Sequence, residues 1–318
     1  MSNKLKMNIC LASDDEYSKY MGTAMVSILN NSLDDEEIVF HLLDGGISKE
    51  NKDNLLSLKN IKNCEIYFYT PDIKKYETWY LKSNSENWSP ATFYRLSIPS
   101  IIPNVDKILY LDCDVIVNLS LRELFEIDIE NYYALVCKED WREEGYFNAG
   151  VLMINNKLWK ESNIEEVFCE YYNKNYINYG CLDQDLLNDV LKGKVKIIDK
   201  KWNFFPMINN KPLGISMDDY IEANKKSIIH YIYYKPWDEE SISVGSIYFN
   251  YYWQHYMSTP WFKDYKELTE ILLKQYKNNS KDVSDLMDKL LMYKNFIKKL
   301  AWWIPIKKLR DKFKSKFF

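Results

Sequence analysis

Asp106-Lys107-Ile108-Leu109-Tyr110-Leu111-Asp112-Cys113-Asp114 decides how this chain is read. The apolar run from Ile108 to Leu111 predicts a buried strand, and two carboxylates follow at its carboxyl end. In extended backbone residues i and i+2 face the same way, so Asp112 and Asp114 can converge on one hard cation such as Mn²⁺ or Mg²⁺. The end of a parallel strand is also where open α/β sheets place their ligands. A solvated pair of acids at a strand end is the other reading of the same triplet.

Upstream, strand-like and helix-like segments alternate. Asn8 to Ser13 predicts a strand, Lys19 to Leu29 an amphipathic helix, Ile38 to Leu43 a second strand, Lys49 to Leu58 a helix and Cys64 to Tyr69 a third strand. Repeated βαβ units imply an α/β fold with a mostly parallel sheet and helices on both faces. Ser89-Pro90 has the form of a helix start, with Ser as N-cap and Pro at the first helical position, and so predicts a helix over 91–98 that carries Arg95. Downstream, Tyr146 to Ile154 predicts a strand and Trp159 to Tyr172 and Asp185 to Leu191 predict helices. Residues 209–224 have the composition of a long loop, and Ile228 to Tyr233 is strand-like up to Lys235-Pro236-Trp237.

Composition narrows the function classes. The chain has 318 residues, 47% hydrophobic and 28% charged, enough for a sizeable core in one or two domains. Its 6 cysteines include no C-x-x-C pair and it has 3 histidines, so neither a zinc ribbon nor a disulfide framework is indicated. Reduced thiols, no apolar leader and no run of apolar residues long enough to span a bilayer point to a cytoplasmic protein. The net charge is −4, yet 296–318 carries eight Lys and Arg against Asp311 alone, so an acidic body has a basic tail. A net-acidic body argues against nucleic acid as a partner. No G-x-G-x-x-G, P-loop or G-x-S-x-G motif is present.

Other residues could carry chemistry. His230 beside Ile228-Ile229 is either a core histidine or, with two carboxylates, a ligand suited to Mn²⁺. Lys235 is a surface lysine or a point charge for a phosphate. Arg95 could hold a diphosphate or make a structural ion pair. Asp14, after the first strand, could accept from a base or ribose donor, or cap a helix.

These pieces occur in one order: Ala12-Ser13-Asp14-Asp15-Glu16-Tyr17, Phe40-His41-Leu42-Leu43-Asp44, Tyr94-Arg95-Leu96, Leu109 to Asp114, Tyr146-Phe147-Asn148-Ala149-Gly150-Val151, Asp183-Gln184-Asp185, and His230 with Lys235-Pro236-Trp237. The ordered set resembles glycosyltransferase family 8, retaining enzymes of GT-A fold related to bacterial lipooligosaccharide galactosyltransferases and glycogenin. The resemblance covers about residues 7–262 and implies a catalytic domain over 1–262, with 263–318 as a helical extension.

The resemblance further implies that Asp112, Asp114 and His230 bind Mn²⁺, with Mg²⁺ as the substitute, and that the ion holds the diphosphate of UDP-galactose or UDP-glucose. Ala12, Ser13, Asp14 and Tyr17 would line the uridine pocket, with Cys113 in the same donor-binding set. Arg95 would contact the donor, Asn148 and Ala149 would border the sugar, Asp183 and Gln184 would face its reacting side, and Lys235 would reach the phosphates. The product would keep the donor's configuration, and the acceptor would be a glycan or glycolipid. Glu16 stands where relatives often carry Asn, and the stretch from His230 to Lys235 is a residue shorter than usual and lacks its glycine. A metal-dependent phosphohydrolase would need a second Asp/His cluster, which the sequence does not supply. A sugar-nucleotide-binding or membrane-adaptor protein without turnover is the non-enzymatic alternative.

In the tail, Phe296, Ile297, Leu300, Ala301, Trp302, Trp303 and Ile304 precede Pro305, and Leu309, Phe313, Phe317 and Phe318 recur among lysines. This pattern predicts a basic amphipathic helix on an anionic membrane surface, placing the protein at the inner face, with a C-terminal helix docked on the chain's own acidic body as the other reading.

Overall fold

The computed structural model describes residues 4–83, 89–206, 216–238, 248–263 and 296. Nine strands are named here in chain order: β1 Leu5–Ser13, β2 Glu36–Asp44, β3 Glu65–Tyr69, β4 Lys107–Leu111, β5 Val115–Val117, β6 Ala134–Lys138, β7 Phe147–Asn155, β8 Val195–Ile197 and β9 Ile228–His230. Seven form one sheet in the order β3-β2-β1-β4-β7-β6-β8, and β5 pairs with β9 in a second, two-stranded sheet. Only β7 runs against its neighbours, so the main sheet is mixed and mostly parallel.

Alternation along β1 shows why both faces are covered. Met7, Ile9 and Leu11 join one apolar cluster with Met21, Met25 and Leu29 of the helix Ser18–Asn31. Cys10 and Ala12 join a second cluster with Phe93, Tyr110, Leu152 and Trp159. Each cluster removes large apolar side chains from water, the main favourable contribution to folding. A third cluster packs β9 residue Ile229 against Tyr252, Trp253 and Tyr256 of the helix Phe249–Tyr256.

The sequence expectations need four corrections. The helix predicted from Trp159 to Tyr172 is two helices, Asn156–Glu161 and Ile164–Asn175, divided at Asn163, whose φ of 48° is the left-handed geometry asparagine tolerates. The stretch after Ser89 is a 3-10 helix, Pro90–Ser97, with Ser89 Oγ accepting from the Ala91 amide. The expected loop at 209–224 contains a helix, Met217–Asn224, because Ser216 Oγ caps it by accepting from Asp219 N at 3.1 Å. The strand expected to reach Tyr233 stops at His230, where its three-residue partner β5 is used up. The tail 297–318, and with it the membrane expectation, lies outside the described residues.

One irregularity positions the site. Pairing of β6 with β7 is regular from Ala134↔Ile154 to Val136↔Leu152, then jumps to Cys137↔Asn148. Ala149, Gly150 and Val151 are thereby released from β6 next to the end of β4, and bulges of this kind free backbone groups for other partners.

Candidate active site

The carboxyl ends of β1 and β4, the bulge in β7 and the end of β9 meet at one place. Asp112 leaves β4 with its amide bonded to Gly150 O at 2.9 Å, which turns the chain through Cys113 and Asp114 into β5. Because β5 pairs with β9 in the register Val115↔His230, the imidazole comes down beside both acids. Its Nε2 is 3.2 Å from Asp114 Oδ1 and 3.9 Å from Asp112 Oδ2. One ligand atom from each of Asp112, Asp114 and His230 can lie within 4.8 Å of the others, the only such group among the described residues. Two carboxylates and an imidazole are the donor set of a borderline-hard divalent ion.

Glycine is required at the contact. A Cβ on Gly150 would stand 2.1 Å from His230 Cε1 and 2.8 Å from Asp112 Oδ2. The missing side chain is what lets the imidazole and the carboxylate close over β7.

Charge at the site is partly balanced within the protein. Lys235 Nζ makes an ion pair with Asp114 Oδ2 and also donates to Tyr231 O at 2.5 Å. Burial pushes the Asp114 carboxyl up, but Lys235 and His230 more than offset this and hold it well below the usual carboxylate range. Trp237, two residues on, stacks on Tyr20 with ring centroids 3.8 Å apart, which anchors the lysine segment to the helix Ser18–Asn31.

Arg95 is buried behind the acids. Its Nη2 lies 2.8 Å from Asp112 Oδ1, its Nε 3.0 Å from Asp183 Oδ2, and its Nη1 donates to Ala149 O at 2.5 Å. The Tyr110 ring lies under the guanidinium, 4.2 Å from its central carbon. The structural ion pair considered for Arg95 is therefore present. Asp183 is buried and accepts from the Thr92 hydroxyl. Burial lifts its carboxyl to about 6, against the pull of Arg95 and Thr92.

Gln184, the next residue of the same helix turn, has both ends of its amide bonded. Its Oε1 accepts from Ala149 N and Asn148 Nδ2, both at 3.0 Å, and its Nε2 donates to Glu139 Oε2 at 2.9 Å and Tyr146 OH at 3.1 Å. Ser13 lies at the end of β1, while Cys113 points its thiol at Ala12 O at 3.1 Å. Asp14 Oδ1 accepts from Tyr17 N at 2.9 Å and so closes the turn that leads into the helix, whose own N-cap position is Tyr17 rather than Asp14. Tyr17 is 40% exposed beside Tyr20 and Trp237.

Thus Asp112, Asp114, His230, Lys235, Arg95, Asp183, Asn148, Ala149 and Gln184 form one connected site, with Ala12 and Ser13 buried at the neighbouring end of β1 and Asp14 and Tyr17 just after it. Two residues were missed in the sequence. Glu139 follows β6 and is buried against Gln184, and Asn203 is buried against His230. Neither stands in a motif, because each comes to the site only by the pairing of distant strands.

The model of the family described as "Glycosyl transferase family 8" matches residues 8–241, and the chain belongs to that family. It is 36% identical over 216 residues to a Haemophilus influenzae protein named as a glycosyltransferase, spanning 63% of this chain and 64% of that protein's length. It is 28% identical over 278 residues to the lipopolysaccharide 1,3-galactosyltransferase of Salmonella typhimurium, covering 80% of this chain and 79% of the relative. Among solved structures it is similar to the galactosyltransferase LgtC crystallised with donor and acceptor sugar analogs, with TM-score 0.66, 27% identity and coverage of 80% and 96%.

Proposed function

We propose that this glycosyltransferase moves a hexose, galactose or glucose, from a UDP-sugar to a glycan or glycolipid acceptor with retention of configuration, using a divalent cation, Mn²⁺ or Mg²⁺. The observation that carries the reading is the convergence of Asp112, Asp114 and His230 at the ends of β4 and β9 with Lys235 beside them. The relatives named for galactosyl and glucosyl transfer to lipopolysaccharide support hexose as the group moved.

Residues of the chain divide the work. Asp112, Asp114 and His230 would hold the ion, which when bound supplies Lewis-acid neutralisation of a departing diphosphate. Lys235 adds a positive charge on the same side, favouring departure without a protonating acid. Arg95 holds Asp112 in place through its 2.8 Å contact. Asn148, Ala149 and Gln184 border the space a sugar would occupy opposite the acids, with Gln184 and Asp183 on its reacting side. Ala12, Ser13, Asp14 and Tyr17 would line the uridine.

The test measures UDP release with Mn²⁺ and a panel of UDP-sugars, with and without glycan acceptors, and follows the product's anomeric configuration by NMR. Metal-dependent UDP release with an α-linked product is expected. Full activity of both D112N and D114N, or an inverted linkage, would defeat the reading.

The cluster of lysines and aromatic residues in 296–318 supports attachment to an anionic membrane surface at the cytoplasmic face. None of the helices among the described residues is long and apolar enough to cross a membrane. Deleting 296–318 should abolish co-sedimentation with anionic liposomes while sparing activity on a small soluble acceptor.

A further inference from the structure

A line of side-chain hydrogen bonds leads away from the imidazole, and its direction can be deduced from the backbone. Gly150 N can only donate, and it donates to Asn148 Oδ1 at 2.9 Å, which fixes that atom as oxygen. Asn203 lies 2.9 Å from the same oxygen and must present its amide nitrogen. Its own oxygen then faces His230 Nδ1 at 2.9 Å, so the imidazole has to donate from Nδ1. With Nδ1 committed to Asn203, Nε2 is the ring nitrogen that faces Asp112 and Asp114, the side on which a metal ligand is needed. On the other side Asn148 Nδ2 donates to Gln184 Oε1 and Gln184 Nε2 to Glu139, a carboxylate that can only accept when ionised.

We infer that Asn203 is a positioning residue of the metal centre: it fixes the tautomer and ring orientation of His230 and joins that ligand, through Asn148, to Gln184 on the sugar side. The inference rests on the proposed metal centre at Asp112, Asp114 and His230. Asn203 is 2% exposed and His230 3%, so in the intact protein the contact is shielded from bulk water. Outer partners of metal-bound histidines commonly change affinity or activity by about 10- to 100-fold.

The chemistry of the two ends separates two variants. N203A removes both the acceptor for His230 and the donor to Asn148. N203D keeps an acceptor for His230 but sets an oxygen against Asn148 Oδ1, so it preserves the metal side and breaks the sugar side.

Mn²⁺ affinity is measured without donor by the loss of the free-ion electron paramagnetic resonance signal, and kcat separately, with melting curves recorded for each variant. N203A should bind Mn²⁺ about 10- to 100-fold more weakly, while N203D stays within about threefold of wild type in affinity yet shares the lowered kcat of N203A. In an H230A background, N203A should weaken Mn²⁺ no further. The inference is overturned by wild-type Mn²⁺ affinity in N203A, by N203D losing affinity as fully as N203A, or by an N203A effect that persists in H230A. A wild-type protein that binds no Mn²⁺ overturns the metal centre itself, and Asn203's role with it.

Discussion

Arg95 Nη2 stands 2.8 Å from Asp112 Oδ1, and the same guanidinium reaches Asp183 at 3.0 Å, so one buried cation serves two carboxylates on opposite sides of the site. The arginine is 4% exposed and Asp183 3%, which makes each charge depend on its partner. Removing one member of a buried pair commonly costs about 3–5 kcal/mol, because the remaining charge is left desolvated. R95M should therefore lower stability by about that amount, and R95M/D183N should recover part of it. Urea unfolding of the three proteins checks this, and a loss below about 1 kcal/mol in R95M would contradict the account.

Gly150 supplies a second prediction. Since a Cβ there would meet His230 Cε1 at 2.1 Å, G150A must push the imidazole or β7 aside. The expected outcome is a folded protein whose Mn²⁺ affinity and metal-dependent turnover fall by at least about tenfold, since ligand geometry is what the metal selects. Circular dichroism with Mn²⁺ titration tests it, and unchanged affinity would show that the site yields freely.

Stability should depend on pH through His41. Its ring is buried between Asn8 and Tyr69, bonded at 3.1 and 3.0 Å, and burial pulls its pKa from 6.5 down to about 4, with Lys6 adding to the effect. The unfolded chain therefore binds a proton below 6.5 that the folded chain refuses until about 4, so stability falls as pH drops through that window. Asp183 acts in the opposite sense, since its carboxyl, raised from 3.8 to about 6, favours the folded state as pH falls across that range. H41Q isolates the first contribution: between pH 7 and 4.5 it should lose about 1–3 kcal/mol less than wild type in guanidinium unfolding. Equal pH slopes would remove His41 from the explanation.

Much of this was legible in the sequence, for identifiable reasons. Asp112 and Asp114 follow a strand, Asn148 lies in one and Gln184 stands in the first turn of a helix, all with strong apolar patterns, so their places were set by local periodicity. His230 and Lys235 gained meaning only in combination, since a lone histidine next to Ile229 fits a core equally well. Glu139 and Asn203 were not legible, because their partners Gln184 and His230 are 45 and 27 residues away. The bulge at Ala149 to Val151 was hidden too, since the run YFNAGVLMI reads as one strand despite Asn148 and Gly150, and only the pairing with β6 reveals the jump. The helix Met217–Asn224 escaped because its cap, Ser216, follows polar and Gly/Pro-containing residues.

Lys235 yields the last prediction. Its ammonium pairs with Asp114 Oδ2, an oxygen of the carboxylate proposed to bind the metal, and it is tied down at Tyr231 O as well. A cation in that position competes with an incoming ion, yet the same charge is available to a diphosphate once displaced. K235A should consequently bind Mn²⁺ alone about as tightly as wild type or tighter, while binding UDP in the presence of Mn²⁺ about tenfold or more weakly, since it loses a charge-assisted contact. Isothermal titration with Mn²⁺ first and UDP second separates the two effects. Weaker binding of Mn²⁺ alone would mean that Lys235 supports the acids rather than competing for them, and unaltered UDP affinity would remove it from the phosphate site.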